Sequence, residues 1–141
     1  THNVSSAASD VYKRQSIDPA SIGDPSEFVN EFLIYFNNQD TLNIERVTSS
    51  PFYFNDEKYI KYTDAFNFEG LINNGWSYSS VIDVKTLFNN GHAALISFDF
   101  ARHNSEDIPY LKSRVFYMLT VEEGRWILNG GYTPNPLPMG R

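Results

Sequence analysis

The first ordered pattern along the chain is helical. Asp24-Pro25-Ser26-Glu27 supplies a helix start, with Asp24 as cap, Pro25 at the first helical position and Glu27 where a capping box closes. Phe28, Val29, Phe32, Leu33, Tyr35 and Phe36 follow at helical spacing and predict one wide apolar face. Asn37-Asn38-Gln39 ends this helix, and Asp40 or Thr41 caps a shorter one carrying Leu42, Ile44 and Val47. Pro51-Phe52-Tyr53-Phe54 reads as a short strand, because aromatics favour a half-buried pleated surface. Asn55 or Asp56 then caps a predicted third helix, with Tyr59, Ile60, Thr63, Phe66 and Ile72 near one side and a stop at Asn73-Asn74-Gly75.

From Trp76 onward the period changes to two. The alternation predicts strands over 77–88, 92–103, 110–121 and 125–132, joined by Asn89-Asn90-Gly91, a polar loop over 104–108, and Glu122-Glu123-Gly124. Pro134, Pro136 and Pro138 cannot donate to a ladder, so 134–141 is expected to leave the sheet as a proline-rich tail. Helices followed by an antiparallel meander indicate a single α+β domain over 16–133. The apolar helix faces must then bury against one face of a curved sheet. Long strands folding over three helices tend to leave a cavity at the open end.

Composition narrows the function classes. The 141 residues carry a formal net charge of −6, with 41% hydrophobic and 16% aromatic residues and no cysteine. A pI near 4.9 argues against nucleic-acid binding, which needs clustered Lys and Arg to replace phosphate counterions. No apolar run approaches the ~20 residues of a membrane span. Disulfides, thiolate metal sites and cysteine nucleophiles are excluded, which leaves the compartment open, with the cytoplasm favoured. Ser5 to Gln15, SSAASDVYKRQ, resembles the in-frame translation of a transposase-type sequencing adapter, and 1–15 is set aside as an expected artefact of bulk environmental sequencing. A leader peptide would have preceded that junction and cannot be read.

The order of elements over about 24–133 resembles the nuclear transport factor 2-like superfamily, also called SnoaL-like. The resemblance is carried by the helix over 26–38 closing on Asp40, the Pro51-Phe52-Tyr53-Phe54 strand, and Tyr117-Met118-Leu119-Thr120 followed by Gly124-Arg125-Trp126-Ile127. Phe98-Asp99-Phe100-Ala101-Arg102-His103-Asn104 also looks like the strand pattern of its uncharacterised bacterial members. The resemblance implies a cone-shaped fold, three helices on a curved antiparallel sheet around an internal pocket, and a homodimer formed through the sheet. It does not imply one function, because this fold hosts isomerases, dehydratases, cyclases and non-catalytic binding domains.

Candidate chemistry is sparse. By the resemblance, Asp56 falls where ketosteroid isomerase-type members carry a general base; as a residue in its own right it serves equally as a surface helix cap. The expected electrophilic half is missing, since Phe32 stands at the tyrosine position and Val115 or Phe116 near that of the second acid. Alternation puts Ser97, Asp99, Ala101 and His103 on one face of their strand and Ile96, Phe98, Phe100 and Arg102 on the other. Asp99 and His103 lie roughly 13 Å apart along that strand, too far for a direct dyad. If their face points inward, Asp99 is the best candidate acid or base; if outward, the face is solvated or dimer-facing. Arg102 and Arg114 occupy consecutive strands and, as a pair, suit a carboxylate or enolate ligand; the plainer reading is two rim charges. Phe32, Tyr35, Phe52, Phe54, Trp76 and Tyr78 are expected to converge, either as plain core or as an aromatic-lined pocket for a small hydrophobic molecule. His92 and His103 belong to no ligand-spaced cluster, so no metal is expected, and proton transfer by Asp56, Asp99 or His103 would need no cofactor. The rival expectation is a non-enzymatic dimerisation or ligand-sensing module.

Overall fold

The Asp24 carboxylate accepts from the Ser26 amide at 3.0 Å, but the helix begins two residues later than the predicted Pro25. Ser26 is its N-cap and makes no side-chain cap bond, and Glu27 is the first helical residue rather than the closing member of a capping box. A computed structural model describes residues 22–141, so the adapter-like segment lies outside the described residues. Helix α1 (Glu27–Asn37) buries Phe28, Val29, Phe32 and Phe36 on one face. Helix α2 (Thr41–Arg46) is capped by Asp40, whose side chain accepts from the Asn43 amide, and it buries Ile44. Among the described residues no helix is long and apolar enough to cross a membrane.

The predicted third helix is replaced by three short elements. Strand β1 (Thr48–Phe54) turns at Asn55-Asp56, where Asn55 adopts φ 53°, and pairs antiparallel with β2 (Glu57–Tyr59). Asparagine tolerates that left-handed backbone, so the pair makes a two-residue hairpin loop rather than a helix cap. A 3-10 turn (Tyr62–Asp64) and the brief helix α3 (Phe68–Asn73), capped by Asn67, follow. The apolar register shifts accordingly: Tyr62 and Ala65 are buried, whereas Ile60 is 77% exposed.

Four long strands complete the sheet: β3 (Tyr78–Asn89), β4 (Ala93–His103), β5 (Pro109–Glu122) and β6 (Arg125–Tyr132). Their spatial order is β2-β1-β6-β5-β4-β3, antiparallel except for the parallel pair β1–β6. Register slips by one residue between Ile82 and Lys85 and again between Thr86 and Phe88, with Asp83 at φ 55°. Such bulges bend a strand and increase its twist, which curves this edge of the sheet. Asn37 links α1 to the curved edge, donating to the Ser79 carbonyl at 2.9 Å and accepting from the Ser79 amide at 2.8 Å.

The proline-rich tail leaves the sheet after Tyr132 and packs back on the domain. The Asn55 side chain holds Thr133 through its amide and hydroxyl. The Asn67 amide donates to the Met139 carbonyl at 3.0 Å, and Leu137 and Met139 pack against the core. A Cβ on Gly70 would lie 1.7 Å from the Gly140 carbonyl oxygen, so only glycine permits this approach.

Candidate functional site

The curved sheet and α1 form most of the wall of a partly open cavity of about 60 Å³. Alternation decides its walls. Strand β4 contributes Phe98, Phe100 and Arg102, β5 contributes Val115 and Tyr117, and β3 contributes Ser79 and Val81. Val29, Phe32, Leu33 and Phe36 come from α1, Phe54 from β1, Tyr62 and Phe66 from the segment before α3, and Leu137 from the tail. Aromatic rings fill most of the cone. Phe32 meets Tyr62 edge-on at 5.2 Å between centroids, Phe98 meets Tyr117 at 4.8 Å, and Tyr62 stacks on Phe66 at 5.0 Å. Offset and edge-to-face pairs of this kind are the favoured arrangements for ring quadrupoles.

Polar groups in this wall are few and chemically alike. Arg102 is 2% exposed, and its Nη1 donates to the Pro138 carbonyl of the tail. Its Nε is buried without a hydrogen-bond partner. The guanidinium sits 5.7 Å from the Phe100 ring centroid, and burial lowers its pKa from the ordinary value. Burial raises the pKa of Tyr62 and Tyr117, so both phenols keep their protons across the neutral range. Ser79 Oγ accepts from Trp76 Nε1 at 3.0 Å, and its own O–H is left to donate. The ion pairs among the described residues are Lys61–Glu45, Arg114–Asp99, Arg125–Glu31 and Arg141–Glu57; none involves Arg102.

The residues singled out from sequence are scattered by the tertiary structure. Phe32, Phe54 and Arg102 line the cavity. Phe52 is fully buried behind Tyr62, at 4.9 Å between rings, and Trp76 is buried against Phe36 and Phe68. Tyr35 donates to Glu31 on the rim, where Arg125 also binds Glu31 at 2.7 Å. Asp56 stands exposed in the β1–β2 turn and does not line the cavity.

Asp99 and His103 lie on the outer face of β4. Arg114 Nε and Nη2 clasp the two oxygens of Asp99 at 2.9 and 3.2 Å, and this hydrogen bonding holds the carboxyl below its ordinary pKa. Asp99 is therefore a weak base. His103 Nε2 hydrogen-bonds with Ser80 Oγ at 2.8 Å, its Nδ1 is buried without a partner, and its ring stacks on Tyr78 at 4.5 Å. The expected Arg102–Arg114 pair does not form, because register places Arg114 opposite Asp99 and Arg102 opposite Leu111, on opposite faces. No group of three or more metal-ligating side chains occurs among the described residues.

Tyr62, Phe66, Phe98 and Tyr117 are wall residues that the sequence reading did not single out. Tyr62 was hidden by the wrong helical register. Tyr117 and Phe98 were legible in principle, since each shares an alternating face with other apolar residues of its strand.

No family model matches the chain, and no curated protein matches its sequence. Solved structures match its fold. A ketosteroid isomerase-like protein from Shewanella frigidimarina superposes with a TM-score of 0.59 at 9% identity, over 79% of this chain and 96% of that one. A scytalone dehydratase-like protein from Novosphingobium aromaticivorans gives 0.58 at 8% identity, over 79% and 80%. A nuclear transport factor 2-like superfamily protein from Salmonella enterica gives 0.55 at 14% identity, over 80% and 89%. The chain therefore has the nuclear transport factor 2-like fold, as its order of elements implies. At these identities the likeness concerns fold alone.

Proposed function

We propose that the chain is a binding domain for a small organic molecule with an apolar body, held in the inner cavity. The observation that carries this reading is the wall itself: aromatic and aliphatic side chains, Tyr62 and Tyr117 among them, interrupted by Arg102 and Ser79. Apolar concavities with a few oriented polar groups are the usual form of small-molecule sites. Acid–base turnover is the weaker reading. General-base chemistry needs a proton acceptor within hydrogen-bond reach of the ligand, and the described wall holds neither a carboxylate nor an imidazole. The isomerase-like and dehydratase-like neighbours support this reading only as far as the shared fold.

Titration of the full chain with 1-butanol, followed by NMR, tests the reading. Shifts confined to Phe32, Phe98, Val115 and Tyr117, lost in Val115→Phe, are expected. Shifts scattered over the surface, or persisting in the filled variant, reject it.

A second reading is supported by the outer sheet face, which exposes Tyr53, Met118 and Tyr132 on neighbouring strands. We propose this strip as the contact with a second copy of the chain. Sedimentation equilibrium should show a dimer that Met118→Lys dissociates; a native monomer at all concentrations rejects it.

A further inference from the structure

We infer that the cavity ligand carries a carboxylate, bound by Arg102, on a short apolar chain. The inference rests on the cavity-binding reading above and names the class of molecule it takes.

The first argument is electrostatic. Buried ions are ordinarily paired, because removing an isolated charge from water is costly. Arg102 is 2% exposed and faces the cavity, yet it has no carboxylate partner among the described residues. The shortage is local, since the chain holds 17 acidic residues against 11 basic ones. One carbonyl, that of Pro138, receives Nη1, and Nε is left with nothing to donate to. A neutral carbonyl satisfies a donor without neutralising the cation.

The second argument is the character of the other polar groups. Ser79 accepts from Trp76 through one lone pair, which leaves its O–H free to donate toward the cavity. The Tyr62 and Tyr117 phenols, which also belong to the wall, keep their protons and can donate as well. A wall of one cation and several O–H donors suits an acceptor-only group, and an ionised carboxylate is acceptor-only. Guanidinium and carboxylate are also matched in planarity and spacing. A single cation neutralises a monoanion, which favours a carboxylate over a phosphate dianion.

Size sets the remainder of the ligand. The space is small, about 60 Å³, so a carboxyl group on a short apolar chain is the suitable scale. Phe32, Phe98 and Val115 would face that chain.

The test titrates the full chain with sodium butyrate, butyramide and sodium chloride at matched ionic strength, following the Arg102 Nε–H and cavity side-chain signals by NMR. Butyrate should bind about tenfold or more tightly than butyramide, as charge-assisted hydrogen bonds require, and should move the Nε–H signal. Arg102→Gln should reduce butyrate to the level of butyramide. Equal binding of butyrate and butyramide, or an unmoved Nε–H signal, overturns the inference. Binding of 1-butanol without butyrate overturns the carboxylate alone, whereas failure of butyrate, butyramide and 1-butanol alike overturns the cavity reading with it. The native-chain comparison stands even if Arg102→Gln does not fold.

Discussion

Arg102 and Arg114 stand on neighbouring strands of one sheet with the same charge, and the two faces of that sheet give them opposite surroundings. Arg114 lies in solvent with both oxygens of Asp99 in its grasp. Arg102 lies among phenylalanine and tyrosine rings with one carbonyl and no anion. Water and a partner make the outer arginine chemically ordinary. The inner one is held where its charge is costly, a condition proteins usually retain at functional positions. Burial, more than residue type, separates a site residue from a rim residue here.

Chemical unfolding sharpens this contrast, because the inner substitution changes two opposing contributions and the outer one only a screened pair. Arg102→Met removes a desolvated cation along with its bond to Pro138, and these oppose each other. Stability should stay level or rise by up to about 2 kcal/mol, as found when buried charges give way to apolar groups of similar volume. A loss of about 3 kcal/mol or more in urea unfolding would identify the guanidinium as a tie for the tail, and the contrast between the arginines would then be structural rather than functional.

The smallest effect belongs outside. Arg114 holds the Asp99 carboxyl below its ordinary pKa of 3.8 chiefly by hydrogen bonding. A lowered carboxyl contributes stability that is present above pH 3.8 and is lost as pH falls through the lower native value. Asp99→Asn should therefore shift the melting temperature slightly at neutral pH, with the difference fading under acid, because exposed pairs are screened by water. A large neutral-pH loss would show that the outer face is buried against something in solution.

Much of the fold was legible in the sequence. The helix over 26–38 is legible because its start signal and its apolar spacing agree, and the four long strands because strict alternation is bounded by turn residues. The segment 55–72 was not legible. Tyr59, Thr63 and Phe66 imitate helical spacing, but Asn55 at φ 53° reverses the chain and pairing with β1 outweighs local propensity. The candidate site was legible as a set of aromatics and Arg102, though not which of the aromatics reach it. Phe32 and Phe54 reach the cavity, while Phe52 and Trp76, equally aromatic, pack behind it.

The sequence alone determined that Ile96, Phe98, Phe100 and Arg102 share one face of a strand and Ser97, Asp99, Ala101 and His103 the other, because side chains of an extended backbone alternate. It could not determine which face looks inward, since each set mixes charge with uncharged residues. The tertiary structure decided that. Helix α1 needs an apolar surface to bury its phenylalanines, three of the four residues in the first set provide one, and Arg102 is carried inside with them. The unpaired cation, and the ligand class proposed for it, follow from that packing.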